Sequence, residues 1–260
     1  MAENESERMH ENRARAMSFG GVAALYDKAR PSYPPALIDA LMAFTPRRIL
    51  DVGCGTGKAS RLLLERGCEV LGVEPDPSMA AIARSHGITV EEATFETWDP
   101  RGRMYDLIVS GQAWHWVNPE VGVVKAASVL HPGGHLGVFW NRGRPESVAA
   151  EALEAVYRRI APEIAGSNVA VKPPEEPRDR LQEFAKGGLF TDIEARAFHW
   201  DTVYDRASWT EFIATHSDHV QLPEAQRRAL LDALGEAIDA LGGSMTYHYS
   251  TLLVLATRRM

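Results

Sequence analysis

The sequence predicts an α/β fold built on a doubly wound, mostly parallel sheet. Three observations lead there. Short apolar segments of five or six residues alternate with helical segments of about ten, which is the pattern of parallel strands covered on both faces. Five such strand segments occur by residue 140. The first of them runs straight into a glycine-rich turn, G-C-G-T-G at 53–57, where an open α/β sheet receives a ligand.

The elements follow in order. A charged N-terminal stretch, 1–16, is expected to be a flexible tail. A helix is expected over 20–28, before R-P-S-Y-P-P breaks the chain, and proline then opens a second helix over 35–44. R-I-L-D-V (48–52) is the first strand and 58–66 its helix. E-V-L-G-V (69–73) and 77–85 form the second pair. I-T-V-E-E (88–92) is the third strand. Y-D-L-I-V-S (105–110) is the fourth, followed by a helix over 120–130, and H-L-G-V-F-W (135–140) is the fifth. The rhythm then changes. A helix over 147–160 leads into the proline-rich segment 165–177, a connection or a lid, and another helix covers 178–187. D-I-E-A-R-A-F-H-W (192–200) alternates as a strand, 207–241 is helical, and 246–258 closes the chain as a strand. No internal repeat is visible.

The 260 residues suffice for one elaborated domain. Lys plus Arg number 28 against 35 Asp plus Glu, a net charge of −7. That balance argues against a general nucleic-acid binder. No run of 18 apolar residues occurs and the N-terminus lacks an apolar core, so neither a membrane span nor a secretory signal is expected, and the expected compartment is the cytoplasm. Cys54 and Cys68 have no metal-ligand spacing.

The glycine turn narrows the ligand. A dinucleotide fingerprint reads G-x-G-x-x-G. Here Gly53 and Gly55 fill the first two positions, Lys58 stands at the third, and the glycine falls one place early at Gly57. Glu74 ends the second strand, 17 residues past Gly57, where a carboxylate accepts two hydrogen bonds from a ribose diol. The pair of features fits a nucleoside without pyrophosphate.

At this point the sequence resembles the class I S-adenosylmethionine-dependent methyltransferases. The resemblance rests on I-L-D-V-G-C-G-T-G, G-V-E-P-D-P-S-M, Y-D-L-I-V-S-G-Q-A-W-H-W and V-L-H-P-G-G-H-L, in the family's order over 48–140. A narrower likeness, to small-molecule methyltransferases related to trans-aconitate methyltransferases, rests on Y-D-K-A-R-P-S-Y-P, A-T-F-E-T-W-D-P, Q-A-W-H-W and L-P-E-A-Q-R-R-A-L. The resemblance implies a seven-stranded Rossmann-like sheet of order 3-2-1-4-5-7-6 with the terminal strand antiparallel. It implies one methyltransferase domain over 17–260: N-terminal cap helices at 17–45, a cofactor-binding core at 46–141, helical cap insertions at 142–190 and 200–245, and final strands at 191–199 and 246–260. The cofactor would be S-adenosyl-L-methionine, released as S-adenosyl-L-homocysteine.

The family's roles map onto this chain as follows. Asp51 would brace the loop and face the methionine amino group. Gly53 and Gly55 would pass beneath methionine and ribose, and Glu74 would hold the ribose hydroxyls. Pro75 and Met79 would wall the adenine, and Thr94 and Phe95 fall where the family places adenine contacts. Many members carry aspartate at the position of Thr94. Gln112 would line the methionine end, and Arg30 would reach the methionine carboxylate. Phe95 and Met79 read equally as core, and Arg30 as surface charge.

Methyl transfer from a sulfonium is an in-line displacement that needs alignment and exclusion of water. A base is required only where the nucleophile must lose a proton: a carboxylate needs none, and a hydroxyl gains from one. His115 is the candidate base or acceptor-orienting group, or else a histidine packed between Trp114 and Trp116. Those two indoles, with Tyr26, Trp140 and Arg142, are candidates to line the acceptor site. His131 and His135, and His216 and His219, do not form a metal pattern. The reading is therefore methyl transfer to a small-molecule acceptor, at a carboxylate or hydroxyl oxygen, with no metal, nucleic acid or membrane involved. The rivals are a nicotinamide-dependent oxidoreductase, which the missing third glycine opposes, and a nucleoside-binding protein that kept the pocket without the chemistry.

Overall fold

The computed structural model describes residues 23–166 and 178–260. The expected N-terminal tail and most of the proline-rich connection lie outside the described residues. In order, the elements are α1 (Ala23–Ala29), α2 (Pro35–Met42), β1 (Arg48–Val52), α3 (Lys58–Leu64), β2 (Glu69–Val73), α4 (Pro77–Ser85), β3 (Thr89–Glu91) and β4 (Tyr105–Gly111). A 3₁₀ turn at Trp114–Trp116 precedes α5 (Pro119–Val129) and β5 (Leu130–Pro145). Then come α6 (Ser147–Ile160), α7 (Arg178–Ala185), β6 (Phe190–Asp205), α8 (Arg206–Ala214), α9 (Ser217–Val220), α10 (Glu224–Ala240) and β7 (Ser244–Arg258).

The seven strands form one sheet in the order β3-β2-β1-β4-β5-β7-β6. β1 pairs in parallel with β2 and β4, and β7 runs antiparallel to both β5 and β6. Both faces of the central strands are buried, which is why they read as unbroken apolar runs. Leu50, Ile108, Leu136 and Val138 point into a core that includes Val123 and Ala126 of α5. Ile49, Leu107, Val109 and Phe139 point the other way, onto Leu37, Leu41 and Leu63.

Local chemistry sets the helix starts. Asp76 accepts from the backbone N–H groups of Ser78 and Met79, with Pro77 at the first helical position of α4. Asn118 and Pro119 repeat the device for α5. Asp205 and Ser208 form a reciprocal capping box on α8.

Two strands outrun their sequence expectation: β5 continues through Arg142-Gly143-Arg144-Pro145 and β6 to Asp205, both paired with β7, which starts two residues early at Ser244, so the three form a ribbon past the last β4 pairing. Its far end packs against a second core of Leu153, Tyr157, Trp209, Phe212, Leu230, Leu234 and Tyr247. Gly143 is required there: a Cβ would stand 2.3 Å from the Tyr247 ring. The helical region expected over 207–241 resolves into α8, α9 and α10. α6, α8 and α10 pack on one another and on the outer ends of β6 and β7 around this second core. Among the described residues no helix is long and apolar enough to cross a membrane.

Candidate functional site

The glycine turn leaves β1 at its carboxyl end and enters α3. Gly53, Gly55 and Gly57 have φ of +67°, +56° and +84°. Side chains are excluded at two of them by packing as well as by backbone conformation: a Cβ at Gly53 would lie 2.4 Å from the Ala113 Cβ, and one at Gly57 would lie 2.1 Å from Ile88. At Gly55 a Cβ would find only the Met79 methyl, at 3.7 Å.

Two buried carboxylates frame this turn. Asp51, the fourth residue of β1, is 1% exposed. Its Oδ2 accepts from the Ser60 hydroxyl at 2.6 Å, while Oδ1 has no partner among the described residues. Burial raises its carboxyl to about 6, against the Ser60 bonds. Glu74 follows β2. One oxygen accepts from the Gly55 N–H at 2.9 Å and the other from the Asp76 N–H at 3.0 Å, so the carboxylate ties the glycine turn to the start of α4. Burial lifts it to about 7 although both bonds favour the ionised form. A buried oxygen without a donor costs free energy. A cationic amino group at Asp51 Oδ1 would remove that cost, and the Glu74 oxygens, each with one donor, can accept further bonds from hydroxyls, so the residues present fit a nucleoside bearing an ammonium.

The other expected contacts divide. Met79 is buried beneath Gly55 and Pro75 is half-buried beside Glu74. Gln112 adopts φ +59°, its N–H bonded to the Phe139 carbonyl and its amide to the Asn141 carbonyl. Thr94 spends its hydroxyl on Thr97 in a local turn. Phe95 is a core residue, with Trp98 and Trp114 at 6.3 and 6.0 Å between ring centroids. Arg30, expected to reach the methionine carboxylate, donates to the Thr215 hydroxyl at 2.8 Å and the Thr215 carbonyl at 3.0 Å, 185 residues along the chain at the end of α8. The guanidinium also lies over Tyr26 and Phe212, at 5.1 and 5.5 Å.

On the acceptor side, Trp114 is corrected. It is 0% exposed, its indole N–H donates to Glu183 at 2.9 Å, and it packs edge-on to Phe184. It belongs to the core and offers no wall to a ligand. His115 and Trp116 are half-buried in the same turn, their ring centroids 4.9 Å apart. Trp140 donates from Nε1 to His115 Nδ1 at 3.1 Å. Arg142 is half-buried on β5 opposite Ser250. Tyr26 is half-buried; burial raises its phenol, Arg30 opposes this and the Glu74 charge adds to it.

Sequence reasoning passed over several neighbours. Tyr33 brings its hydroxyl over Gly111, where a Cβ would stand 2.5 Å away, and burial with the nearby Asp51 charge keeps its phenol protonated. Its signal was present in S-Y-P. Asn141 is a junction: its amide donates to the Ser32 carbonyl at 2.9 Å, and its Oδ1 accepts from Thr251 at 2.7 Å. The Tyr204–Tyr249 hydroxyl pair, at 2.8 Å, lines the ribbon. Of the expected non-metal histidines, His216 caps α9 and His219 is 0% exposed, bonded to Tyr157 at 2.8 Å and Asp218 at 2.7 Å. No group of three His, Cys, Asp or Glu among the described residues is arranged to hold a metal ion.

Comparison with known proteins agrees with this geometry. A family profile described as a methyltransferase domain matches residues 49–134, from β1 to the start of β5. An uncharacterized methyltransferase of Mycobacterium tuberculosis is 32% identical over 254 residues, covering 93% of this chain and 96% of the relative. A trans-aconitate 2-methyltransferase of Acidovorax sp. is 25% identical over 256 residues, covering 90% and 97%. Among solved structures, a putative type II methyltransferase from Anaeromyxobacter dehalogenans superposes with a TM-score of 0.64 at 21% identity, over 87% of this chain and 97% of its own, which speaks for the fold.

Proposed function

Since the chain belongs to the S-adenosylmethionine-dependent methyltransferases, we propose that it methylates a small-molecule acceptor at oxygen, a carboxylate or a hydroxyl. The observation that carries the reading is the pair of buried carboxylates about the glycine turn. In this reading Asp51 Oδ1 takes the methionine ammonium and Glu74 the ribose hydroxyls, which the unpartnered Oδ1 and the Glu74 bond to the Gly55 N–H support. Pro75, Met79 and the Thr94–Phe95 backbone border the adenine end in this reading, and the Gln112 main chain borders the methionine end. When bound, the cofactor supplies a methyl group already activated by its positive sulfur. The chain holds an acceptor oxygen in line with it and keeps water out.

The acceptor enters from the side of Tyr26, His115, Trp116 and Arg142, under α6, α8 and α10. Arg142 and Arg30 supply cations that favour an acidic acceptor. The reading takes 17–260 as one domain with a helical cap. The trans-aconitate methyltransferase relatives support a small acid as acceptor.

Calorimetry with S-adenosylmethionine and its thioether product tests the cofactor site. Methyl-labelled cofactor, incubated with trans-aconitate and with a panel of hydroxy and carboxylic acids, tests the acceptor. Label recovered only on nitrogen or carbon would sink the oxygen assignment.

A further inference from the structure

The segment 31–34, between α1 and α2, is pinned by a chain of hydrogen bonds whose direction is fixed by chemistry. The Trp200 indole donates from Nε1 to the Thr251 hydroxyl at 2.9 Å. An indole N–H cannot accept. Thr251 in turn donates to Asn141 Oδ1 at 2.7 Å, so the Asn141 amide presents its nitrogen to the Ser32 carbonyl, at 2.9 Å. Thr251 is 0% exposed and Asn141 9%, so water scarcely competes for these groups. The next residue, Tyr33, packs edge-on to Phe139 with 4.7 Å between ring centroids. Pro31 and Pro34 restrict the backbone on either side.

The hydroxyl of Tyr33 is thereby held at the carboxyl end of β4. A Cβ on Gly111 would stand 2.5 Å from it. Asp51 pairs with Val109 across β1 and β4, and Gly111 follows two residues on, so the Asp51 side chain and the bare side of Gly111 share one face of the sheet. One strand across and two residues along puts the two Cα positions about 8 Å apart. The Asp51 and Arg30 charges both act on the Tyr33 phenol, in opposite senses. Among the described residues this hydroxyl has no hydrogen-bond partner. Nearby backbone donors are engaged: the Gly53 and Cys54 N–H groups bond the Val73 carbonyl, Gly55 bonds Glu74, and Gln112 bonds the Phe139 carbonyl. Those amides are closed to a ligand carboxylate, and the Tyr33 O–H is open to one.

An amino-acid head carries its ammonium and its carboxylate on one carbon, so a donor to the carboxylate must stand close to the acceptor of the ammonium. We propose that the Tyr33 hydroxyl donates to the carboxylate of the cofactor's amino-acid head, and that Asn141, fixed by Thr251 and Trp200, is the positioning residue that holds Tyr33 there. The bond is charge-assisted and needs no proton transfer. This rests on the placement of the ammonium at Asp51 proposed above, which it deepens, and it adds a donor beside Arg30 without displacing it.

The test is calorimetry on the full chain with S-adenosylmethionine and with its decarboxylated analogue, which keeps the ammonium and lacks the carboxylate. Tyr33→Phe keeps the ring on Phe139. It is expected to weaken S-adenosylmethionine binding about tenfold and to leave binding of the analogue within about twofold of wild type. Unchanged affinity for the cofactor, or the same loss for both ligands, overturns the contact. Thr251→Val, which breaks the chain, is expected to show the same selective loss, while Thr251→Ser, which keeps the hydroxyl, binds as wild type does. Equal affinities in those two variants overturn the positioning role. If the valine variant fails to fold, Asn141→Asp, which sets an oxygen against the Ser32 carbonyl, takes its place with the same expectation. A wild-type protein that binds neither ligand refutes the methyl-transfer reading itself. A wild type that binds both, with Tyr33→Phe unchanged, refutes only this inference.

Discussion

Arg30 and Thr215 join the end of α1 to the end of α8: two hydrogen bonds from one guanidinium, at 2.8 and 3.0 Å, close a span of 185 residues. The neighbouring residues of α1 reach both ways. Asp27 pairs with Arg61 on α3 and with His86 after α4, while Lys28 pairs with Glu211 on α8. The helix bridges α3 and the end of α4 on one side and α8 on the other. Arg30→Ala is expected to lower stability by about 2 kcal/mol, and Arg30→Lys to recover only part of this because an ammonium cannot reproduce the fork. Urea unfolding measures both; an unshifted midpoint in Arg30→Ala would show the contact to be idle.

Glu74→Ala is expected to weaken S-adenosylmethionine binding by about 1–3 kcal/mol, through loss of charge-assisted bonds to the ribose. It also strips the Gly55 and Asp76 N–H groups of their acceptor. Calorimetry on Glu74→Gln, which preserves an acceptor oxygen, separates charge from geometry. An affinity equal to wild type in both variants means the ribose lies elsewhere.

Stability of the ligand-free protein should carry a signature of the buried carboxylates. Asp51 and Glu74 have folded values of about 6 and about 7, above their ordinary 3.8 and 4.5. Between the ordinary and folded values the folded state holds more protons than the unfolded chain, so each group's contribution falls as pH rises through that window. The loss is on the order of 3 kcal/mol for each. Other carboxylates, such as Asp218 beside His219, are depressed and act in the opposite sense at lower pH. The measurable quantity is therefore a difference: between pH 5 and pH 7.5, wild type loses stability relative to the Asp51→Asn/Glu74→Gln double variant. Parallel pH profiles for the two proteins would contradict it. Cofactor affinity should rise over the same interval, since an ammonium binds an ionised Asp51 better.

Gly53→Ala tests the turn itself. Its φ of +67° disfavours a side chain, and the new methyl would meet the Ala113 Cβ at 2.4 Å, an atom fixed to backbone next to the left-handed Gln112. A cost of roughly 1–3 kcal/mol in stability is expected, with cofactor binding lost in step. Thermal unfolding with and without cofactor reads both, and a variant with wild-type affinity would show that the turn does not bear on the ligand.

Much of this molecule was legible before its structure. Asp51, Gly53, Gly55 and Glu74 stand within 24 residues, on elements whose apolar runs and caps define them, so their convergence follows from one βαβ unit. The ends of β5 and β6 were not legible. Their outer segments carry glycine, proline and charge, and are strand because they pair with β7 beside the second core. Arg30 illustrates the same limit: its hydrogen bonds to Thr215, 185 residues along the chain, could not be read from its neighbours in sequence.

By itself the sequence determined the parallel sheet, the nucleoside-sized turn and the two carboxylates beside it, because those depend on periodicity and on backbone freedom over short spans. Only the tertiary structure decided that Trp114 is core, that Arg30 bonds Thr215 and that Trp140 donates to His115. Each of those roles is a contact between segments whose separation along the chain carries no information about distance in space, and burial and hydrogen-bond direction exist only once the segments meet.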